Sequence, residues 1–384
     1  MNLLLKPAVT LVTSWMVLSF SSLPKEKISE PPLKMKSKIQ AAILLDVSNS
    51  MDGLIDQAKA QLWNMVSVMG KAKCDGETPQ IEIALYEYGR TSNDVNKGYV
   101  KQISPFTSDL DKLSEHLFSL TTYGGDEYCG QVIHSSLDEL NWDADPNSYK
   151  VIFISGNEDF LQGKMHYTLA CNEAKKKGVI VNTIYCGDRL QGIKEHWNLS
   201  AECGNGSFTN INSDARPEEI PTPYDSTLIT LNDKLNGTYI YYGAKGQERK
   251  ALQYSMDQNN TIASASAGVN RIAVKGKKAT YNNAGWDLID AKDEDKRFLE
   301  KVDFKTLPDS LQNKTTSELE AIVNEKANER NRIQNEIQEI SAKREIYINW
   351  ERTKKIKNNT DQTLQTEVEK IMREQAKRYN MKIE

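Results

Sequence analysis

Basic excess, clustered histidine and long apolar runs are all missing from this 384-residue sequence, and each absence removes a class of protein. Lys and Arg number 49 against 53 Asp and Glu, a net charge of −4, which argues against a nucleic-acid binder. Five cysteines are too few for a disulfide scaffold of this length. None stands in a C-x-x-C, and His116, His134, His166 and His196 are scattered, so a zinc site has no support. With 11 Pro and 21 Gly the chain is neither proline-rich nor collagen-like. There is no G-x-x-x-x-G-K-[ST] and no G-x-S-x-G, which leaves phosphate-loop and hydrolase-elbow chemistry without a motif. What is present is a globular balance, 39% apolar and 27% charged, in a length suited to two or three domains at ~150 residues each.

The most apolar stretch is Pro7–Phe20, which follows Lys6 and ends in the small-x-small triplet Ser19-Phe20-Ser21. It is shorter than the ~20 residues of a membrane span. Residues 1–21 read as an export signal, with a buried core helix or an uncleaved anchor as the alternative. No Cys lies near its end to carry a lipid. The expectation is a periplasmic or secreted protein with no membrane span left after cleavage. Export would let Cys74, Cys129, Cys171, Cys186 and Cys203 form pairs, and the odd count leaves at least one free or joined to another chain. Cys129, Cys171 and Cys186 also suit small buried apolar positions.

Residues 22–38 form a charged, proline-bearing linker. From 39 to 215 strand and helix alternate. Gln40–Leu45, Ile81–Tyr88, Lys150–Ile154 and Val179–Tyr185 read as strands, and Tyr99–Ile103 and Gly206–Ile211 as shorter ones. Asp52–Met69 carries Leu54, Ile55, Ala58, Leu62, Met65, Val66 and Met69 at helical spacing. Leu110–Leu120, Gly130–Trp142, Met165–Lys177 and Ile193–Glu202 read as further helices, with Gly178 as a stop. This rhythm implies a mostly parallel sheet flanked by helices, whose ligands bind at the carboxyl ends of the strands. The loops after Leu45, Leu120, Ile154 and Tyr185 then share one edge. Residues 216–314 read as a mixed, mostly helical extension, with a strand at Thr238–Tyr242. Residues 315–384 read as a helical tail. Leu319, Ile322, Val323, Ile333, Ile337, Ile340, Tyr347 and Ile348 mark one tail face, interrupted by Lys326 and Arg330. It is either a coiled coil for self-association or partner binding, or a helix packed along its own chain.

The chemistry sits after the first strand, where Asp46-Val47-Ser48-Asn49-Ser50 spells D-x-S-x-S before a helix. One carboxylate and two hydroxyls are hard oxygen donors suited to Mg²⁺, Mn²⁺ or Ca²⁺. The other reading is that the serines only cap the helix. The segment Lys38–Ile211, with AAILLDVSNSM at its first loop, resembles a von Willebrand factor type A (VWA) domain. The resemblance implies a Rossmann-like α/β fold, with a mostly parallel central sheet flanked by helices, here followed by a mainly α-helical C-terminal region. It also implies a metal-ion-dependent adhesion site (MIDAS) with Asp46, Ser48 and Ser50 as ligands. In the second loop, Thr121–Glu127, Asp126 ranks first, Thr122 second and Glu127 third. In the third loop Gly156 falls where the family places an acid, so Glu158, or after it Asp159, is the substitute. Gly124–Tyr128 nearly spells a cyclase signature, but the helix-like segment after it argues against that reading. The expected function is therefore non-enzymatic binding of a protein carboxylate through a divalent cation. The alternative is a metal-free scaffold of the cell envelope. A metal-dependent hydrolase would need a general base, which only Glu158 or Glu127 offers.

Overall fold

The structure is a computed structural model and describes residues 37–212, 219–355 and 364–383. The export-signal reading and nearly all of the linker fall on residues 1–36, outside the described residues. Strand β1 (Lys38–Asp46) shows why a sheet forms. Its side chains alternate, Ile39, Ala41 and Leu45 entering one core and Ala42 and Leu44 the other. The remaining strands are β2 (Ala72–Lys73), β3 (Gln80–Tyr88), β4 (Lys101–Thr107), β5 (Tyr149–Gly156), β6 (Ile180–Cys186), β7 (Asn205–Ile211) and β8 (Lys382–Ile383). Six of them form one sheet in the order β4-β3-β1-β5-β6-β7, and β2 pairs with β8. In the large sheet only β4 runs antiparallel. The order reverses at β1, so the carboxyl ends of β1, β3 and β5 flank the switch point where such sheets bind ligands.

Helices α1 (Asp52–Met69) and α2 (Leu110–Phe118) bury their apolar stripes in the core on one face of the sheet. Helices α3 (Cys129–Glu139), α4 (Tyr167–Lys177) and α6 (Trp197–Cys203) do so on the other. All seven apolar residues that mark the face of α1 are buried. Helix α4 stops at Gly178, whose φ of +65° is a left-handed conformation that glycine adopts without strain. The expected helix Ile193–Glu202 is instead two short ones, α5 (Arg189–Lys194) and α6. They are separated by His196, held at a left-handed φ of 68° that ends the helical path.

The C-terminal region contains α7 (Asp225–Asn236), α8 (Gly246–Ala263), α9 (Ala265–Lys275), α10 (Leu288–Glu294), α11 (Asp309–Gln312), α12 (Thr316–Lys355) and α13 (Leu364–Ala376). Leu228, Val269, Ile272, Ile337, Val368 and Met372 from this region enter the same apolar core as α1 and α2. A polar junction sits there too. Arg271 is buried against Asp111 of α2 and Asp257 of α8, and its guanidinium lies 4.5 Å from the Trp63 ring centre. The expected strand at Thr238–Tyr242 is reduced to one bridge, Tyr241 to Asp287. The reason is local: the Ile240 N–H is taken by the Asp287 side chain, 2.8 Å away, in place of a strand partner. Helix α12 packs on α7, α9 and α10 of its own chain. Arg330 does not interrupt its inner face; it belongs to it, buried in contact with Asp287 and Asp290. Among the described residues no helix is long and apolar enough to cross a membrane.

Candidate functional site

Strand β1 delivers Asp46 to the carboxyl edge of the sheet, fully buried between its neighbours. The chain then turns: Val47 N–H donates to Tyr88 O at 3.0 Å, and Ser48 N–H to Asp46 Oδ1 at 2.7 Å. Ser48 is buried, and its hydroxyl stands against both Asp46 and Glu127. Ser50 is exposed, with its Oγ 3.3 Å from Ser48 Oγ and within 3.1 Å of Asn157 Nδ2. The three residues of the D-x-S-x-S loop thus step from the buried carboxylate out to solvent.

The second loop crosses the first. Tyr123 N–H donates to Val47 O at 2.8 Å and Gly124 N–H to Asn49 Oδ1 at 2.8 Å. Gly125 is required at this crossing, because a Cβ there would stand 2.7 Å from Gly89 O and from Thr91 N. Beyond it the extended chain sends Glu127 inward and Asp126 outward. Asp126 is exposed and accepts from Tyr128 OH at 3.2 Å, while the Glu127 carboxyl lies buried against Asp46. Thr122 gives its hydroxyl to Asp52 at the start of α1. In the third loop Glu158 is exposed and accepts from Gln162 Nε2 at 3.2 Å, and its charge reaches Asp46 and Glu127 only through space. Asp159 Oδ1 contacts His196 Nδ1 at 3.2 Å. The structure therefore gathers Asp46, Ser48, Ser50 and Glu127, and holds Asp126, Thr122, Glu158 and Asp159 in other contacts.

Glu127 is the residue that the sequence reading ranked low. A signal for it exists in the alternation of extended chain. Cys129 opens the buried face of α3, and counting back by two from it puts Glu127 inside and Tyr128 and Asp126 outside.

The electrostatics of the cluster are those of two acids pressed together out of water. Burial pushes Asp46 above its ordinary carboxylate value, partly offset by bonds from Glu127 and Ser48. Burial, and then the neighbouring Asp46 charge, pushes Glu127 up as well. One oxygen of each carboxyl, Asp46 Oδ2 and Glu127 Oε2, is buried with no hydrogen-bond partner. Unpaired buried carboxylate oxygens are costly, and a proton or a small cation is the kind of partner that offsets such a cost. The walls are tight. A Cβ at Gly156 would lie 2.5 Å from Tyr88 OH and 3.1 Å from Asp46 Oδ2. A Cβ at Gly89, where φ is +82°, would lie 2.9 Å from Asp46 Oδ1 and 3.0 Å from Glu127 Cγ. Among the described residues no cluster of three or more His, Cys, Asp or Glu side chains is placed to hold a metal. The donor set here is two carboxyls and two hydroxyls, all hard oxygens, which suits Mg²⁺, Mn²⁺ or Ca²⁺.

No family model and no curated protein matches the chain. Solved structures do. The VWA domain of SpRpn10 is 16% identical, with a TM-score of 0.34, over 45% of this chain and 87% of that one. BatB from Bacteroides thetaiotaomicron is 16% identical, with a TM-score of 0.33, over 45% of this chain and 90% of that one. Proximal thread matrix protein 1 from the mussel byssus is 16% identical, with a TM-score of 0.34, over 46% of this chain and 42% of that one, in a structure with zinc in its MIDAS motif. The architecture here stands on its own features. Sheet order β4-β3-β1-β5-β6-β7, an antiparallel edge strand and D-x-S-x-S after the central strand give Lys38–Ile211 a mostly parallel α/β sheet flanked by helices, the fold that its resemblance to a VWA domain implies.

Proposed function

We propose that this VWA-domain chain is a non-enzymatic binding protein that holds Mg²⁺, Mn²⁺ or Ca²⁺ at its sheet edge and engages a carboxylate of a protein partner there. Asp46, Ser48 and Ser50 would supply the first loop's oxygens, and Glu127, rather than Asp126 or Thr122, the second loop's. The observation that carries the reading is that two neighbouring buried carboxyls, Asp46 and Glu127, each keep one oxygen without a hydrogen-bond partner, Oδ2 and Oε2. A bound divalent ion would neutralise that pair and offer its solvent side, where Ser50 is exposed, to an acidic group. The third loop adds no carboxylate in contact, so the protein's own charge on the ion is limited to Asp46 and Glu127 and a coordination place is left for an external acid. Residues 1–21 are read as the export signal of a periplasmic or secreted protein.

One observation favours a second reading, a metal-free scaffold. The space an acid would need at position 156 is filled by the Tyr88 hydroxyl, and Asp46 and Glu127 are close enough to share a proton. Thermal melting of the full chain under Mg²⁺, Mn²⁺ and Ca²⁺ titration separates the two. At 100-fold excess over Kd, binding to the folded state contributes about 2.7 kcal/mol. We expect a saturable rise of several degrees with at least one ion, abolished in Asp46→Ala and Glu127→Gln. No ion-dependent rise in the wild type at millimolar ion supports the scaffold. Turnover on an ester and phosphate panel would instead support an enzyme.

A further inference from the structure

All five thiols are free in the structure, but two of them are neighbours. Cys171 sits fully buried on the inner side of α4, and Cys203 is half-buried in the last turn of α6. The Cys171 Sγ lies 3.4 Å from Ser200 O and 3.8 Å from Ser200 Oγ, on the turn that precedes Cys203, and the Cys203 thiol is its side-chain neighbour. The other three are set apart. Cys74 forms the turn after β2, Cys129 lies 3.8 Å from the Tyr88 hydroxyl, and Cys186 ends β6.

We propose that Cys171 and Cys203 are an oxidisable pair whose disulfide staples α6 to α4. The accessible Cys203 reacts first. Its thiolate attacks a small-molecule disulfide such as oxidised glutathione, forming a mixed disulfide and releasing one thiolate, which takes up a proton. The Cys171 thiolate then attacks the Cys203 sulfur and expels the second thiol. Two protein thiols are oxidised, one external disulfide is reduced, and the two protons end on the released thiols. Burial pushes the Cys171 thiol up to about 12, so closure in the folded protein is slow at neutral pH and faster in alkali.

The staple has a consequence for the site. The opposite end of α6 holds the third loop: Trp197 Nε1 donates to Glu158 O at 2.8 Å, and His196 meets Asp159 at 3.2 Å. Fixing α6 fixes the loop that borders the Asp46 cluster. The pairing itself rests on the two helices and not on the cation.

The test is disulfide mapping of the full chain. One sample is incubated with oxidised glutathione at pH 8.5, and another is refolded from urea with the same oxidant, so that burial cannot hide the thiols. We expect free thiols to fall from five to three and a single Cys171–Cys203 crosslinked peptide. We also expect a rise in Tm of about 3–5 °C, reversed by dithiothreitol. Cys203→Ser and Cys171→Ala should each remove the crosslink and the rise. Five alkylatable thiols after refolding, a stable glutathione adduct on Cys203, or a crosslink through Cys74, Cys129 or Cys186 would each overturn the proposal.

Discussion

Gly156 stands where the resemblance expects an acid. The Tyr88 hydroxyl, which donates to Ser155 O at 2.9 Å, occupies the place of the missing side chain. Overpacking such a spot costs about 1–3 kcal/mol. Gly156→Ala should therefore lower stability by about that amount, read as a lower urea midpoint with unchanged m. An unchanged midpoint would mean that the wall is soft. The first loop was legible at this scale, because D-x-S-x-S after a buried strand dictates where its oxygens go. The second loop was less so. Asp126 and Glu127 are adjacent acids, and only the extended conformation ahead of α3, fixed by Gly125 crossing Gly89 and Thr91, decides which one turns inward.

Helix α12 poses the same problem at the scale of an element. Its length and its buried positions Leu319, Val323, Ile333 and Ile337 follow from spacing, and its partners do not. Arg330 looked like an interruption because Asp287 and Asp290 lie some forty residues upstream and nothing local announces them. In place, Arg330 also donates through Nε to Thr238 Oγ1 at 3.0 Å and caps the Tyr239 ring at 4.0 Å. Removing one partner of a buried ion cluster leaves the others uncompensated, at a cost of about 3–5 kcal/mol. Arg330→Ala should lose about that much, measured by chemical denaturation, whereas a substitution at exposed Arg332 should move stability by less than about 0.5 kcal/mol. The break between α5 and α6 was likewise hidden, since it depends on His196 reaching Asp159 across the fold.

At the scale of the whole molecule, one apolar core joins α1 and α2 to α7, α9 and α13. That continuity predicts a single cooperative unfolding transition for the described residues, and two resolved calorimetric peaks would contradict it. The polar junction gives a pH dependence. Burial alone would raise the Asp257 carboxyl, but the Lys275 and Arg271 charges overrule it and hold it well below its usual value. A depressed carboxylate binds its proton less readily folded than unfolded. Its stabilisation is therefore full above about pH 4 and is lost as pH falls further. Asp257→Asn should lower stability at neutral pH by about 3–5 kcal/mol and flatten the acid limb of the stability curve. A wild-type acid limb in that variant would assign the effect to other carboxyls. Strand order, helix faces and the first loop followed from periodicity and a short motif. The junction did not, because it joins Asp111, Asp257 and Arg271 across 160 positions of sequence.

A divalent cation at the Asp46 edge of the sheet can be seen directly. A crystal grown with Mn²⁺, measured for anomalous scattering, should show a peak within about 2.0–2.6 Å of oxygens from Asp46, Ser48 or Ser50 and of a Glu127 carboxyl oxygen. An empty sheet edge at saturating Mn²⁺, with the Asp46 and Glu127 carboxyls still in direct contact, would contradict it.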